Sequence, residues 1–336
     1  MTSASFAGAD PNMQAHVLDN QFAIPASLLD DILPDALREI PDLNRALPKI
    51  ARDHDKIAKI ESLLHKIPTR HDLVLGDARS WKSSPRSIHL IVTSPPYWTL
   101  KEYPAEDGQL GRLQNYDVFL NGLKTVWHNC FQALVPGGRL VCVVGDVCLS
   151  RRQNGGRHTV VPLHAAIQEQ CRSIGFDNLS PIIWHKISNV QTEANRKGAY
   201  LGKPFEPNGI IKNDIEYILM FRRPGGYRSP STSARVLSVI PAEKHNAWFR
   251  QIWNGPGGAL TRHHPAPFPV ELAERLVRMF SFAGDTVFDP FTGTGTTQVA
   301  ASNWGRNSIG IDIEPTYLDI AEERLIDQPN TTVDRG

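Results

Sequence analysis

The chain has 336 residues, of which 41% are apolar and 21% charged, a composition typical of a globular protein that buries a core. Its 36 lysines and arginines are balanced by 35 aspartates and glutamates, so the net charge predicts no polyanionic partner. No apolar run approaches the roughly 18 residues that span a bilayer, and the four cysteines form no CxxC pair, which excludes membrane-spanning and disulfide-rich classes. The first residues lack the features of a secretory signal, and we expect a cytoplasmic protein without a metal site.

Residues 1–70 are predicted to form a helical extension that packs on the main domain. Six prolines divide this segment into short stretches. After the fifth proline, apolar residues recur at helical spacing, namely Ile50, Ile57, Ile60, Leu63 and Leu64. The segment holds 10 acidic and 8 basic residues, which argues against a basic DNA-binding arm. Dimerisation and clamping of DNA are the less favoured alternatives.

From residue 71 onward, strands and helices are predicted to alternate. Apolar runs that end at polar, glycine or proline corners predict strands at HDLVLGD, SIHLIVT, GGRLVCVVGD, LSPIIWHK, IEYILMF, TVFDP and SIGIDIE. Helices are predicted at YDVFLNGLKTVWHNCFQAL, VPLHAAIQEQCRSIGF, PVELAERLVRMFSFAG, QVAASNW and YLDIAEERL. Strands that are apolar on both faces predict an α/β fold with a doubly wound, mostly parallel sheet covered by helices. Ligands of such sheets bind beyond the carboxyl ends of the strands.

Residues 186–262 interrupt the regular pattern with polar, glycine-rich and proline-rich sequence. They contain 12 lysines and arginines against 5 aspartates and glutamates. A basic, aromatic-dotted insertion is typical of a surface for a polyanion, although a solvated insertion without a partner fits the charge equally well. The interrupted α/β domain would then comprise residues 71–185 and 263–328, followed by a flexible tail at 329–336.

The segment Phe288–Thr297, FDPFTGTGTT, lies between a predicted strand and a predicted helix. Glycines at such a turn let the backbone approach a ligand and aim helix N-terminal N–H groups at it. Gln298 stands where the dinucleotide fingerprint requires glycine, and no GK[ST] follows, so sites for NAD and for nucleoside triphosphates are disfavoured. Asp312 ends the next strand, where a carboxylate is placed to accept hydrogen bonds from ribose hydroxyls.

The segment Thr93–Trp98, TSPPYW, follows another predicted strand. Its two prolines fix the backbone and remove two N–H donors, which leaves carbonyl groups pointing in set directions. Ser94 adds a hydroxyl, and Tyr97 and Trp98 add flat apolar faces. These groups suit a planar ring that carries an amino group. An isolated Pro-Pro turn would need no functional explanation, but the glycine turn in the same chain favours a binding site.

Taken together, these motifs resemble those of the S-adenosylmethionine-dependent DNA amino-methyltransferases, in particular the beta group, whose catalytic motif precedes the cofactor motif. The resemblance runs from about Asp72 to about Leu325 and includes LVLGDA, GQLG, LVPGGRLVCVVGD, IIWHK, EYILMF, HPAPFPVELAERLVRMFS and GIDIEPTYLDIAEERL. It implies a Rossmann-like methyltransferase fold, S-adenosyl-L-methionine as cofactor and double-stranded DNA as partner. Residues 71–185 would be the catalytic half, 186–262 the target-recognition region and 263–328 the cofactor-binding half.

The resemblance also implies three sets of site residues. The target base would be held by Ser94, Pro95, Pro96 and Tyr97. The cofactor would be bound by Asp77, Phe268, Asp289, Phe291, Gly293, Gly295, Thr296 and Asp312. Phosphates or guanine edges of DNA would be contacted by Arg196, Lys197, Lys203, Arg222, Arg223 and Arg228. The alternatives for single positions are that the phenylalanines are core residues and that Asp77 caps a turn.

The implied reaction transfers a sulfonium methyl directly to an exocyclic amine of a base that is flipped out of the duplex, with Tyr97 as the candidate for stacking on it. No Pro-Cys dipeptide occurs, which disfavours ring-carbon methylation. In the family, serine before PPY followed by tryptophan is most often associated with cytosine-N4 enzymes. We therefore expect a cytosine-N4 DNA methyltransferase of a restriction–modification system, nucleoid-associated, monomeric or homodimeric, with a cognate restriction endonuclease as functional partner. The alternatives are adenine-N6 methylation, methylation of RNA or a protein amide, and a catalytically silent nucleic-acid-binding module.

Overall fold

A nine-stranded sheet organises the part of the chain that the computed structural model describes, residues 24–98, 108–152, 154–186, 213–257 and 268–335. The strands in chain order are β1 (Thr69–Leu75), β2 (Ile88–Thr93), β3 (Leu134–Val144), β4 (Val147–Leu149), β5 (Thr159–Val161), β6 (Asp177–His185), β7 (Ile215–Arg222), β8 (Ile252–Asn254), β9 (Thr286–Asp289), β10 (Asn307–Asp312) and β11 (Thr331–Arg335). Their order across the sheet is β11-β1-β10-β9-β2-β3-β7-β6-β8, and β4 pairs with β5 in a separate hairpin. Within this described sheet, only β7 runs antiparallel to its neighbours, β3 and β6.

Helices cover both faces of this sheet. They are α1 (Ala26–Ile32), α2 (Asp35–Arg38), α3 (Leu43–Ile50), α4 (His54–Leu64), α5 (Tyr116–Ala133), α6 (Leu163–Ile174), α7 (Thr232–Leu237), α8 (Ala242–Trp248), α9 (Val270–Phe280), α10 (Thr296–Asn303) and α11 (Pro315–Ile326). Along β2, Ile91 packs with α5 and α6 on one face, while Leu90 and Val92 pack with α9 and α10 on the other. This alternation confirms the predicted doubly wound α/β fold. Among the described residues, every helix is too short or too polar to cross a bilayer.

The strand order reverses between β2 and β9, which lie side by side in the middle of the sheet. From β2 the chain continues outward to β3, whereas from β9 it continues outward in the opposite direction to β10. The loops that follow β2 and β9 therefore diverge and leave a crevice at the carboxyl ends of the strands. Crevices at such a switch point are where open α/β sheets bind ligands.

The described part of the N-terminal extension forms four helices that share one apolar cluster with α7. Leu29, Ile60 and Leu64 from the extension are buried with Val236 and Leu237. The carboxylate of Asp53 caps α4 by accepting a 3.0 Å hydrogen bond from the backbone N–H of Lys56. The extension and the segment after β7 are thus packed on each other.

Two boundaries differ from those predicted. The prediction of a flexible tail at 329–336 is wrong for most of that segment, because Thr331–Arg335 form β11 and pair in parallel with β1. β11 is an edge strand that alternates between half-buried and exposed residues, so it lacks the apolar run that marks a central strand. Within 186–262, β7 lies between β3 and β6, so the part of this segment that the structure describes, residues 213–257, contributes to the framework of the α/β domain.

Candidate active site

A cleft opens at the carboxyl ends of the four strands β1, β10, β9 and β2. The space between its walls is about 590 Å³, counted with the solvent at its mouth. Its walls come from the residues that follow these strands and from a short turn before α5: Gly76, Asp77, Ala78, Ser94, Pro96, Gly108, Gln109, Leu110, Pro290, Phe291, Asp312, Ile313 and Tyr317. The structure thus brings the motif TSPPYW beside the glycine-turn segment, from which it is far removed in the sequence.

Ser94 lies on the cleft wall, and its hydroxyl is 3.2 Å from the hydroxyl of Tyr97. The Tyr97 ring is only 5% exposed, and its hydroxyl lies 3.4 Å from the backbone carbonyl of Val143 and 3.4 Å from Oε2 of Glu216. Both prolines are buried, and of the two Pro96 lines the cleft. A ring as buried as that of Tyr97 presents little surface for stacking on a base, so its arrangement favours holding the Ser94 hydroxyl in place.

Asp312, at the end of β10, also lies on the cleft wall. One carboxylate oxygen accepts a 2.7 Å hydrogen bond from the N–H of Gly293, and the other accepts a 3.0 Å bond from the N–H of Glu314. Burial raises the pKa of Asp312 to about 6, against the lowering effect of these backbone hydrogen bonds, and the charge of Glu314 raises it further. At neutral pH the group is therefore an ionised acceptor with lone pairs still available to a ligand.

The glycine turn is shaped by positive φ angles and by close packing. Gly293 and Gly295 have φ angles of 51° and 75°, a region that favours glycine. A Cβ on Gly295 would lie 2.7 Å from Cβ of Ala321 in α11, so this glycine allows the turn and the helix to pack together. Gly310 in β10 is equally constrained, since a Cβ there would lie 2.2 Å from Oγ1 of Thr292. Gly310 appears in the motif GIDIE without a predicted role.

Asp289 is buried behind the cleft rather than on its wall. Its carboxylate accepts hydrogen bonds from the hydroxyl of Thr93 at 2.7 Å, the N–H of Phe291 at 3.0 Å and the hydroxyl of Thr297 at 2.8 Å. Burial raises the pKa of Asp289 to about 6, and these three hydrogen bonds oppose that rise. The residue is 1% exposed. This geometry suits a residue that holds the ends of β2 and β9 together rather than one that contacts a ligand directly.

The other predicted cofactor residues divide between the cleft and the core. Asp77 and Phe291 line the cleft. The backbone N–H of Arg79 donates a 2.8 Å bond to Asp77, and the two side chains form an ion pair. Phe268 instead packs against the apolar cluster that contains Leu90 and Val92. Thr296 is buried, with its hydroxyl 3.5 Å from the Arg324 guanidinium. Neither Phe268 nor Thr296 is among the residues that line the cleft.

A polar cluster that the sequence did not predict adjoins TSPPYW at the carboxyl end of β3 and the start of β7. Nδ1 of His164 is 2.6 Å from the carboxylate of Asp146, and the His164 ring stacks on Tyr217 with 3.9 Å between centroids. Nearby, Glu216 accepts a 2.7 Å hydrogen bond from Nζ of Lys186. Two sequence features could have indicated this cluster. Asp146 follows an apolar strand in VVGD, and Glu216 is the single acidic residue in the apolar strand IEYILMF.

The structure places three of the predicted DNA contacts, Arg222, Arg223 and Arg228, in hydrogen bonds within the protein. Arg222 is in register with Arg139 at the amino-terminal part of β3, at the edge of the sheet opposite the cleft. It donates a 2.8 Å bond to Asp177, while Arg223 donates to the backbone carbonyls of Gln132 and Leu134. Arg228 donates a 2.7 Å bond to Asp285. These guanidinium groups are engaged within the protein, which a count of local charge does not reveal. Arg196, Lys197 and Lys203 lie outside the described residues.

Comparison with known proteins agrees with this architecture. The chain is 36% identical over 291 residues to the type II methyltransferase M.MjaI of Methanocaldococcus jannaschii, in an alignment that covers 77% of this chain and 92% of that protein. It is 49% identical to the Thermus thermophilus protein TTHA0409, solved in complex with S-adenosyl-L-methionine, with a TM-score of 0.64 over 79% of this chain and 97% of that one. The cytosine-N4-specific PvuII DNA methyltransferase, at 20% identity and a TM-score of 0.55 over 78% of this chain and 89% of that one, shares the fold. Residues 88–323 match the model of the N6 and N4 DNA methylase family, and the chain belongs to that family.

Proposed function

We propose that this DNA methylase transfers the methyl group of S-adenosyl-L-methionine to the N4 amine of a cytosine flipped out of duplex DNA, as the modification enzyme of a restriction–modification system. One observation carries the proposal. The cleft at the switch point brings Ser94 and Pro96 of the catalytic motif to the same space as Asp312 and Phe291 of the cofactor segment.

The chemistry of the cleft fits the cofactor. Its apolar walls, which include Leu110, Phe291 and Ile313, suit a purine ring and a methionine chain. Its two carboxylates, on Asp77 and Asp312, suit hydroxyl and amino donors and a positively charged sulfur. When bound, the cofactor supplies an electrophilic methyl group on sulfonium. The related Thermus protein, whose structure holds S-adenosyl-L-methionine, supports the same ligand for this chain.

The chain's own residues would act on the target amine. An amine conjugated to a base is a poor nucleophile because its lone pair is delocalised into the ring. If its two N–H groups donate hydrogen bonds to the Ser94 hydroxyl and the Pro95 carbonyl, the nitrogen moves toward tetrahedral geometry and its developing positive charge is stabilised. Tyr97, 3.2 Å from Ser94, would orient that hydroxyl as an acceptor. Holding the nitrogen near the methyl site then contributes by proximity.

The assignment to cytosine rests on Ser94. In the resembling family, serine before PPY is most often associated with cytosine-N4 enzymes, whereas aspartate or asparagine is associated with adenine-N6 enzymes. A neutral, short serine accepts one hydrogen bond at this position and leaves the backbone carbonyl of Pro95 as the second acceptor.

Methyl transfer to unmodified DNA followed by nucleoside analysis tests the proposal. The protein is incubated with methyl-labelled S-adenosyl-L-methionine and amplified DNA of high sequence complexity, with Asp312→Ala as the inactive control. We expect N4-methylcytosine as the labelled nucleoside. N6-methyladenine would overturn the base assignment while retaining the reaction, and label found in RNA or protein but not in DNA would overturn the substrate.

A further inference from the structure

The hairpin formed by β4 and β5 projects from the same edge of the sheet as the cleft. β4 begins at Val147, two residues after Gly145, whose backbone adjoins the Tyr97 ring: a Cβ on Gly145 would lie 3.5 Å from Cε2 of that ring. The base of the hairpin is closed by Asp146, which accepts hydrogen bonds from the N–H of His164 at 3.2 Å and from its ring nitrogen at 2.6 Å. The hairpin is therefore anchored beside the catalytic motif.

The loop of this hairpin is strongly cationic. It contains Arg151, Arg152 and Arg157, followed by His158, and no acidic residue occurs between positions 147 and 168. All three arginines are exposed. Within the part of the chain that the structure describes, neither Arg152 nor Arg157 is paired with a carboxylate. The positive charges of Arg152 and Arg157 are thus presented to solvent rather than neutralised internally.

The loop also has a defined backbone conformation. The N–H of Gly156 donates a 2.8 Å bond to the carbonyl of Arg151, and the N–H of Arg157 donates a 3.0 Å bond to the carbonyl of Asn154. Gly155 and Gly156 have φ angles of 54° and 83°, and a Cβ on either would meet no atom within 4 Å. The two glycines thus form an open turn within the loop of the hairpin.

We propose that this cationic hairpin, residues 147–161, binds the phosphate backbone of the DNA next to the flipped base. This proposal rests on the DNA methylase function. It places the phosphate contacts in a segment outside residues 186–262. Its arginines lie at the edge of the sheet that holds Ser94, whereas Arg222 and Arg223 lie at the other edge. Phosphate contacts near the target fix the register of the duplex and carry no base specificity.

Salt-dependent binding of a random-sequence duplex, about three helical turns long, tests the proposal in the full-length protein. The variant Arg152→Gln/Arg157→Gln removes two positive charges from the hairpin. The matched control Lys59→Gln/Lys66→Gln removes two exposed charges from the N-terminal extension, at the opposite edge of the sheet. Removing one phosphate contact lowers by about 0.9 the slope of the logarithm of the binding constant against the logarithm of the salt concentration. At 0.15 M salt, binding is then weakened about 5-fold for one lost contact and about 30-fold for two.

We expect the hairpin variant to show both changes, and the control variant neither, while calorimetric affinity for S-adenosyl-L-methionine and thermal unfolding stay at wild-type values in both. An unchanged slope in the hairpin variant would overturn the proposal, as would an equal loss in the control. If binding is weakened for some duplex sequences only, the arginines read bases and the phosphate assignment is wrong. Failure of the wild-type protein to bind or methylate any DNA would instead overturn the proposed function.

Discussion

The hydroxyl of Thr93 donates a 2.7 Å hydrogen bond to the carboxylate of Asp289, and this bond joins the last residue of β2 to the last residue of β9. Ser94 follows β2 and Pro290 follows β9, and both residues line the cleft. The buried hydrogen bond therefore connects the starting points of two walls of the cleft. Thr297 binds the other carboxylate oxygen at 2.8 Å and reaches the carbonyl of Val92 at 3.2 Å. We infer that Asp289 sets the distance between the two motifs.

Replacing Asp289 by asparagine should make the protein more stable at neutral pH. Burial raises the pKa of Asp289 from 3.8 to about 6, so its stabilising contribution is complete below pH 3.8 and is lost as the pH rises through 6. The amide can keep the hydrogen bonds, because its nitrogen can donate to Thr297, whose own proton goes to Val92. Relative to wild type, the free energy of unfolding of Asp289→Asn should rise by about 3 kcal/mol between about pH 4 and about pH 7.5.

Urea denaturation at several pH values measures this difference. Asp289→Ala is the control. It lacks the same titrating group, so its free energy of unfolding relative to wild type should rise by the same amount over this pH range, but it leaves three donors without their acceptor and should be less stable than Asp289→Asn by about 2–4 kcal/mol at every pH. A difference between Asp289→Asn and wild type that does not change with pH would show that the carboxylate is not the group that titrates.

The buried charge of Asp289 should also discriminate between ligands by their charge. Asp289 immediately precedes Pro290 and Phe291 on the cleft wall, so its carboxylate favours a cationic ligand there. Asp289→Asn should weaken the binding of S-adenosyl-L-methionine by about 3- to 10-fold, on the order of 1 kcal/mol, and leave S-adenosylhomocysteine, which lacks the sulfonium charge, nearly unaffected. Isothermal titration with both ligands measures the ratio, and equal losses for the two would mean that the substitution acts through packing.

Cofactor affinity should decrease in mildly acidic solution because of Asp312. Burial raises the pKa of Asp312 to about 6, and only its ionised form accepts hydrogen bonds from two ribose hydroxyls. Affinity should be constant above about pH 7 and fall about tenfold for each pH unit well below about 6. Asp312→Asn should bind weakly and without this dependence. If the pH dependence of cofactor affinity persists in Asp312→Asn but disappears in Asp289→Asn, the titrating group is Asp289.

Gly310→Ala should destabilise the fold although Gly310 does not line the cleft. Its Cβ would lie 2.2 Å from Oγ1 of Thr292 and 2.6 Å from Nε2 of Gln298, and overpacking of this kind costs about 1–3 kcal/mol. Gly76→Ala is the matched control, since a Cβ there would meet no atom within 4 Å. Thermal unfolding of the two variants compares them, and equal midpoints would show that Thr292 and Gln298 move aside freely.

The sequence was sufficient where local pattern determines structure. The central strands have apolar runs, and the residues at their carboxyl ends, Ser94, Asp77, Phe291 and Asp312, meet in one cleft because parallel strands end at the same edge of a sheet. The edge strand β11 has no apolar run, because its residues are exposed or only half-buried. It was therefore not predicted.

Partnerships between distant residues could not be predicted. The bond between Thr93 and Asp289 joins positions 196 residues apart, and no spacing rule encodes it. Arg222 looked like a DNA ligand because the count of nearby charges omits Asp177, its partner 45 residues earlier. The arginines of the β4–β5 hairpin received no predicted role, because only the folded chain shows that the hairpin begins two residues after Gly145, which lies beside the Tyr97 ring.

Single-turnover methyl transfer by Ser94→Ala tests most directly whether the cleft joins a cofactor site to an amine-binding site. The variant loses the hydroxyl that would accept a hydrogen bond from the target amine and keeps Asp312 and Phe291 on the cleft wall. S-adenosyl-L-methionine affinity should stay within about twofold of wild type, while the rate falls roughly tenfold to a hundredfold, as expected when one hydrogen bond is removed from the transition state. A wild-type rate of cytosine methylation in Ser94→Ala, or a loss that lies entirely in cofactor affinity, would contradict the role of Ser94.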